Sequence, residues 1–429
     1  MATAGSLESL RELNRLRVID ALRQRGTASR SEIARHTGLS RTTVTTLVSH
    51  LQARGLVVEQ PLGEAQGRGR PPTLLRLDPS AGAVVGIHFD HRHVRVAVAD
   101  LSSTVLAERW EDLDVDHAAT TALEAATELV GVVLGEAGIE RSRVVGAGTA
   151  LSGPVGRDGT VGSTVILPGW AGLNAVDELE QRLGMHVAVD NDANLGALAE
   201  ISFGAGRGLK DVIYVMVSSG IGAGIVLGGQ LHRGVTGLAG ELGHVLVRSE
   251  GVVCRCGNRG CLETVASTDA VLELLRPANG QELGVRELVE LVSAGDVGAR
   301  RVVGDAGREI GRVLAGLCNI ISPAAVIVGG DLSFAGSGLV EGIREALDRH
   351  ALPSVVASVD VKAGVLGDRA EVLGALALVI GDTDRLRSVG LAALHGEVRH
   401  GGEARDLAGQ NAPVRSGDAR LLSQGGSPI

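Results

Sequence analysis

Aromatic residues are scarce, with two Trp, one Tyr and three Phe in 429 residues. That excludes the stacking platforms on which single-stranded nucleic acids are usually held. No run of about 18 apolar residues occurs, and the opening, Met1 to Leu10, has neither the basic start nor the apolar stretch of a secretory signal. A cytoplasmic, nucleoid-associated protein with no membrane partner is expected. Cysteine is too sparse for a disulfide framework. Yet three of the four cysteines, Cys254, Cys256 and Cys261, crowd into eight residues, whereas Cys318 lies in an apolar helical stretch and reads as packing.

Charge is unevenly placed. Residues 1–78 hold 12 Arg and no Lys against 7 Asp plus Glu, so this segment carries +5 of a net −9 and the remainder carries −14. A basic head on an acidic body implies that only the head meets nucleic acid, with duplex DNA as the partner. The length calls for two or more domains. The expected division is a DNA-binding unit over 1–78, an α/β unit over 83–380 and a disordered tail over 381–429, where apolar periodicity fades.

In the head, Leu16, Ile19, Ala21 and Leu22 fall at helical spacing and Gly26 ends the run. Ser29 can cap a short helix carrying Ile33 and Ala34, Gly38 makes a turn, and Ser40 caps a third helix running to about Arg54. Together they read as a helix-turn-helix. Val44, Leu47, Val48 and Leu51 share the inner face of the third helix, leaving Ser40, Arg41, Thr42, Thr43, Thr46 and Ser49 to reach base edges and phosphates in a major groove. Strands predicted at 56–58 and 73–77 flank Gly67-Arg68-Gly69-Arg70-Pro71-Pro72, a wing whose Arg68 and Arg70 would meet phosphate or minor groove. The alternative is a helical hairpin that only dimerises, with a solvated basic loop.

Beyond the linker Asp78-Pro79-Ser80, strands are predicted at 83–89, 94–99, 104–110, 144–150, 186–190, 211–217, 223–227 and 325–328. Helices are predicted at 119–137, 191–203, 267–276, 300–321 and 370–380. Hairpins mixed with crossover helices indicate an α/β domain in two lobes. His244 with Cys254, Cys256 and Cys261 supplies one imidazole and three thiolates, a closed shell suited to one structural Zn²⁺ per chain. Buried free thiols are the alternative.

The run Gly243-His244, then Cys254-Arg255-Cys256-Gly257-Asn258-Arg259-Gly260-Cys261-Leu262-Glu263, resembles the signature of the ROK family, named for repressors, open reading frames and kinases. The resemblance spans about 83–380, and repressor members carry a winged helix-turn-helix in front. It implies a two-lobed actin-like ATPase fold of the sugar kinase and RNase H type, with a sugar or sugar-derivative effector between the lobes. It also implies a homodimer, or a dimer of dimers, on a double-stranded DNA operator. Asn191-Asp192 match the family's sugar-binding pair, whose aspartate is the base in kinases, while Glu241, His244 and Glu263 match the remaining hydroxyl-reading positions. The plain alternatives are a helix cap for Asp192 and surface charge on a zinc loop for the glutamates.

The kinase pattern breaks elsewhere. Where family kinases have Asp-x-Gly-Gly-Thr, this chain has His88-Phe89-Asp90-His91-Arg92, which lacks the glycines of a phosphate-gripping turn. The second phosphate loop is Ser218-Ser219-Gly220-Ile221-Gly222, the adenosine-side glycines are reduced to Gly329-Gly330-Asp331, and Ile166 replaces the asparagine before Leu167-Pro168-Gly169-Trp170. Loss of catalysis is expected. The leading reading is a sugar-responsive repressor of carbohydrate uptake or metabolism genes. A sugar kinase with an accessory head, and a zinc-stabilised DNA-binding protein whose body only dimerises, remain as alternatives.

Overall fold

A computed structural model describes residues 14–60 except 16, 20, 24 and 54, together with 73–162, 165–279 and 283–381. Arg68 and Arg70, the wing tip around them and the tail beyond residue 381 lie outside the described residues.

Local signals build the head. Ser29 caps the helix Arg30–Thr37, and the Glu32 carboxylate accepts the Ser29 backbone N–H in return at 2.8 Å, a reciprocal cap that satisfies two otherwise unpaired donors. The helix stops at Gly38, whose φ of 70° is left-handed. The next helix, Arg41–Ala53, starts where Ser40 Oγ accepts the Thr43 N–H at 3.1 Å. Its apolar stripe, Val44, Leu47, Val48 and Leu51, is buried as the spacing requires. Strands β1 (Ala28–Ser29), β2 (Val57–Gln60) and β3 (Leu74–Leu77) form an antiparallel sheet in the order β1-β3-β2.

The body repeats one pattern twice. In the first lobe β4 (Ala83–Phe89), β5 (His93–Asp100) and β6 (Val105–Asp112) are antiparallel, while β7 (Val144–Leu151) and β8 (Val187–Asn191) run parallel to β4, in the order β6-β5-β4-β7-β8. The second lobe has β9 (Val212–Val217), β10 (Ile221–Leu227), β11 (Gln230–Leu231), β12 (Ala325–Gly329) and β13 (Asp360–Ala363) in the equivalent order β11-β10-β9-β12-β13. β4 and β12 are buried along their whole length, so each reads as a continuous apolar run rather than an alternating one. Among the described residues no helix is long and apolar enough to cross a membrane.

Two helices, Asp192–Phe203 and Ala370–Ile380, pack on each other, and glycine makes this possible. A Cβ on Gly374 would lie 1.9 Å from the Leu195 carbonyl oxygen, and one on Gly148 of β7 would lie 1.9 Å from that of Ala375. In the second lobe, Gly304, Gly307 and Gly311 of the helix Val297–Ile321 face the helix Gly338–His350, where a Cβ on Gly342 would meet the Gly304 carbonyl oxygen at 2.4 Å.

Candidate ligand cleft and metal centre

The cleft is lined by residues from both lobes. Strand β8 ends at Asn191 and the helix Asp192–Phe203 begins immediately after it. Asn191, rather than Asp192, is the cap: its Oδ1 accepts the N–H groups of Ala193 at 3.0 Å and Asn194 at 3.3 Å, while its Nδ2 donates to the Gly153 carbonyl at 2.9 Å. That division leaves the Asp192 carboxylate in the cleft at the positive end of a helix. Asp192 is 5% exposed, and burial pushes its carboxyl up to about 6 against the opposing hydrogen bonds of Ser152 and the Ala193 N–H. Asp190 anchors the cap, accepting from Asn194 Nδ2 at 2.8 Å and from Arg233 Nε at 2.6 Å.

Asn191, Asp192, Glu241, His244 and Glu263 all line this single cleft, although they come from three separated segments. Their surroundings differ. Glu263 is 8% exposed and takes a two-pronged ion pair from Arg255, at 2.9 Å from Nε and 3.0 Å from Nη2. Gly220 permits this pair, because a Cβ there would lie 2.6 Å from Arg255 Nη2. Burial raises the Glu241 carboxyl, opposed by the neighbouring His244, and the two side chains approach to 3.7 Å through His244 Nε2.

The other ring nitrogen of His244 turns to sulfur, with Nδ1 3.6 Å from Cys254 Sγ, while the sulfurs of Cys256 and Cys261 lie 3.7 Å apart. All four donor atoms lie within 4.8 Å of one another. In a tetrahedral site with Zn–S bonds of about 2.3 Å the sulfurs would be about 3.8 Å apart, so the donor set fits such an ion. The turn is held by backbone hydrogen bonds from Cys254 N–H to the Asn258 carbonyl at 2.7 Å and from Gly257 N–H to that of Cys254 at 2.9 Å. The chain therefore has a Cys₃His group able to bind a metal, one face of which looks into the cleft.

Across the cleft, the β4–β5 hairpin carries His88, Asp90, His91 and His93. Its reversal is narrow, the Asp90 N–H donating to the His93 carbonyl at 3.0 Å. His91 Nδ1 bonds Asp116 at 2.7 Å, which sets its ring beside Asp192. Glu371, at the start of the helix Ala370–Ile380, also faces the cleft; burial and then the charges of Asp192, Asp90 and Asp331 push its carboxyl up to about 8. Sequence reasoning missed Glu371, Arg255 and His91 as cleft residues. Glu371 sits in a strongly apolar helix whose bounds the sequence gives, but only the packing of that helix brings its first turn to the cleft. In the head, Ser40, Arg41, Thr42, Thr46 and Ser49 are exposed and Thr43 is half-buried.

The ROK family profile matches residues 84–382, and a MarR family profile matches residues 12–68. The xylose repressor of Caldicellulosiruptor bescii is 28% identical over 393 residues, covering 88% of this chain and 98% of that protein. A solved ROK family transcriptional regulator, a homologue of the E. coli MLC protein, superposes with a TM-score of 0.75 at 26% identity, covering 89% of this chain and 99% of that one. A ROK glucokinase from Streptomyces griseus, solved with glucose and AMPPNP, has a TM-score of 0.60 at 29% identity but covers 69% of this chain and 99% of its own. The repressor-type matches thus extend through the head, whereas the kinase match is confined to part of the chain. The chain belongs to the ROK family and carries a MarR-type winged-helix domain in front of its ROK domain.

Proposed function

We propose that this protein is a sugar-responsive DNA-binding transcriptional repressor in which a neutral aldose enters the cleft and changes the affinity of the head for its operator. The observation that carries this reading is the contrast between the two halves of the cleft. On one side Asp192 and Glu241 present carboxylates that accept hydroxyl hydrogen bonds, beside His244, with Asn191 and Glu263 holding the walls. On the other, the imidazoles of His88 and His93 stand in the hairpin that kinases leave open for phosphate. Since relatives over the whole chain include xylose repressors, D-xylose is the first sugar to test, followed by glucose and N-acetylglucosamine. Titrating fluorescent operator fragments with protein, with and without each sugar, tests the reading; an operator affinity that no sugar alters would remove it.

A structural zinc held by His244, Cys254, Cys256 and Cys261 belongs to the same proposal. When bound, the ion neutralises the thiolates and clamps one nitrogen of His244. The chain's own part is to aim the other nitrogen, beside Glu241, at the sugar. A homodimer placing two recognition helices on a palindromic site in the cytoplasm completes the reading.

Kinase activity should be absent. A coupled ADP-release assay with ATP, Mg²⁺ and a panel of hexoses and pentoses should stay at background, and turnover of about 1 s⁻¹ or faster would contradict it.

The head should separate two kinds of contact. Arg41→Ala or Thr42→Ala should weaken binding to the operator alone, since each good base contact is worth about 1–3 kcal/mol of discrimination. The double change Arg68→Ala and Arg70→Ala should weaken binding to every duplex and lower the salt slope by about 2, one for each lost phosphate contact. Identical behaviour of the two sets across a salt series would contradict the assignment.

A further inference from the structure

We propose that the β4–β5 hairpin is a second, exchangeable site for a divalent transition-metal cation, with His88, Asp90 and His93 as donors. Six consecutive residues, His88-Phe89-Asp90-His91-Arg92-His93, hold three imidazoles and a carboxylate. His88 is 5% exposed and lines the cleft, yet neither of its ring nitrogens has a hydrogen-bond partner. The Nε2 of His93 is likewise buried and without a partner. Nδ1 of His93 is 3.4 Å from the Asp90 carboxylate, and the His88 and His93 rings meet edge to face with centroids 5.8 Å apart. Buried polar atoms in native proteins are almost always satisfied, so three orphaned ring nitrogens in one hairpin call for an occupant.

The surroundings favour a cation over an anion. Asp331 lines the same cleft, and Asp90 and Asp331 reinforce each other's negative potential, whereas Asp368 is paired with Arg95 at 2.7 Å and the raised Glu371 carboxyl holds its proton. A phosphate brought there would meet carboxylates. Both ring nitrogens of His88 are without a partner, so the ring has a lone pair to offer. A neutral imidazole beside a carboxylate suits Zn²⁺, Co²⁺, Ni²⁺ or Mn²⁺, whereas Mg²⁺ and Ca²⁺ prefer oxygen donors throughout. His91 is left out of the set because Asp116 already holds its ring. Among the described residues only the His244 cluster gathers its donors within 4.8 Å of one another. The hairpin donors stand further apart and need side-chain rotation to converge, which makes this the weaker and more readily exchanged of the two sites. It stands independently of which sugar, if any, enters the other half of the cleft.

The test is a metal titration of the full chain, purified without strong chelator and then freed of loosely held ions. Added Zn²⁺ should bring the content from one to two equivalents per chain. Co²⁺ at the second site should show weak d–d bands without the intense near-ultraviolet charge transfer of thiolate ligation. The double variant His88→Leu and His93→Leu should keep the first equivalent and lose the second, and Asp90→Asn should weaken the second at least tenfold. A parent that takes up one equivalent only, a second Co²⁺ with thiolate charge transfer, or a double variant that still binds two would each overturn the proposal. The parent's stoichiometry and spectrum decide the matter even if a variant fails to fold.

Discussion

Replacing Cys256 with serine is expected to strip the protein of its metal and its sugar response while leaving operator binding within about twofold. Cys256 is the exposed member of its cluster, so the change opens no cavity in a packed core, and its whole effect falls on coordination. Structural zinc sites contribute apparent binding energies of about 10–16 kcal/mol, part of which organises the loop that supplies the ligands. Here the cysteine turn keeps its own backbone bonds, and Val247 N–H to the Gly260 carbonyl at 2.8 Å and Leu262 N–H to that of Val245 at 2.9 Å tie its far end to the segment after His244, so the metal's own contribution is to converge Cys254 and Cys256 on the imidazole. Release of Nδ1 frees the ring that stands beside Glu241, and movement of the turn carries Arg255 away from Glu263. Both walls of the cleft therefore loosen together. Elemental analysis should find zinc falling from one per chain to below about 0.1, and calorimetry should find sugar affinity reduced about 100-fold or more, about 2.7 kcal/mol. The head keeps its function because its core is built from Ile33, Val44, Leu51 and Leu75, while the zinc loop packs in the second lobe through Leu242 and Leu262. Retained sugar response in a metal-free Cys256→Ser protein would contradict this coupling.

The second large effect belongs to Asp192. Asp192→Asn keeps the shape of the side chain, and Asn191 still caps the helix, so folding and operator binding should be preserved. What is lost is a charged acceptor. A hydrogen bond to a charged group is worth about 1.5–3 kcal/mol, which sets the expected loss of sugar affinity at about 10- to 150-fold. The parent should also show a pH dependence that the variant lacks. The Asp192 carboxyl titrates at about 6 because burial disfavours its charged form, so the acceptor is present above that pH and disappears as the pH falls through it. Between pH 7 and pH 5 the parent's sugar affinity should fall about tenfold. The groups facing Asp192 include His91, whose bond to Asp116 raises its pKa despite burial, Asp90, held below the usual carboxylate range by His93 despite burial, and Glu371, which stays protonated through this range. His91 therefore gains its proton before Asp192 on acidification, and its charge is one of the influences that hold the Asp192 midpoint at about 6. A flat parent profile would show that the ionised carboxylate is not the acceptor.

Much of this architecture was legible in the sequence, for local reasons. Caps at Ser29 and Ser40, the turn at Gly38 and the stripe Val44, Leu47, Val48 and Leu51 act within one or two turns of chain, and they set the head. The helices Ala119–Ala137 and Ala370–Ile380 also stood out by their length and apolar content. The helix Gly338–His350 did not, because Gly338 and Gly342 disfavour an isolated helix; the purpose of Gly342, close approach to Gly304 and Gly307, exists only in the packed fold. The short helix Ala175–Leu183 and strand β13 were equally silent. In the cleft, sequence pattern located Asn191, Asp192, Glu241, His244 and Glu263, but not their division of labour. The capping role falls to Asn191, and the Arg255 that occupies Glu263 lies between two cysteines, where attention goes to the metal. Glu371 comes from a segment more than 100 residues away from Asn191, Asp192, Glu241, His244 and Glu263, so only the packing of the last helix brings it there.

The central claim is that the cleft is a sensor and the head its output. The direct measurement is fluorescence anisotropy of an operator fragment, selected from genomic DNA by the protein itself, titrated with parent and with Asp192→Asn protein in the presence and absence of D-xylose and the other aldoses. For a response of useful size the effective sugar must distinguish the DNA-binding from the non-binding state by about 100-fold. The account predicts that one sugar weakens the parent's operator affinity by about that factor while the variant's affinity, equal to the parent's without sugar, stays unchanged. Equal responses of parent and variant, or no response to any sugar by either, would contradict it.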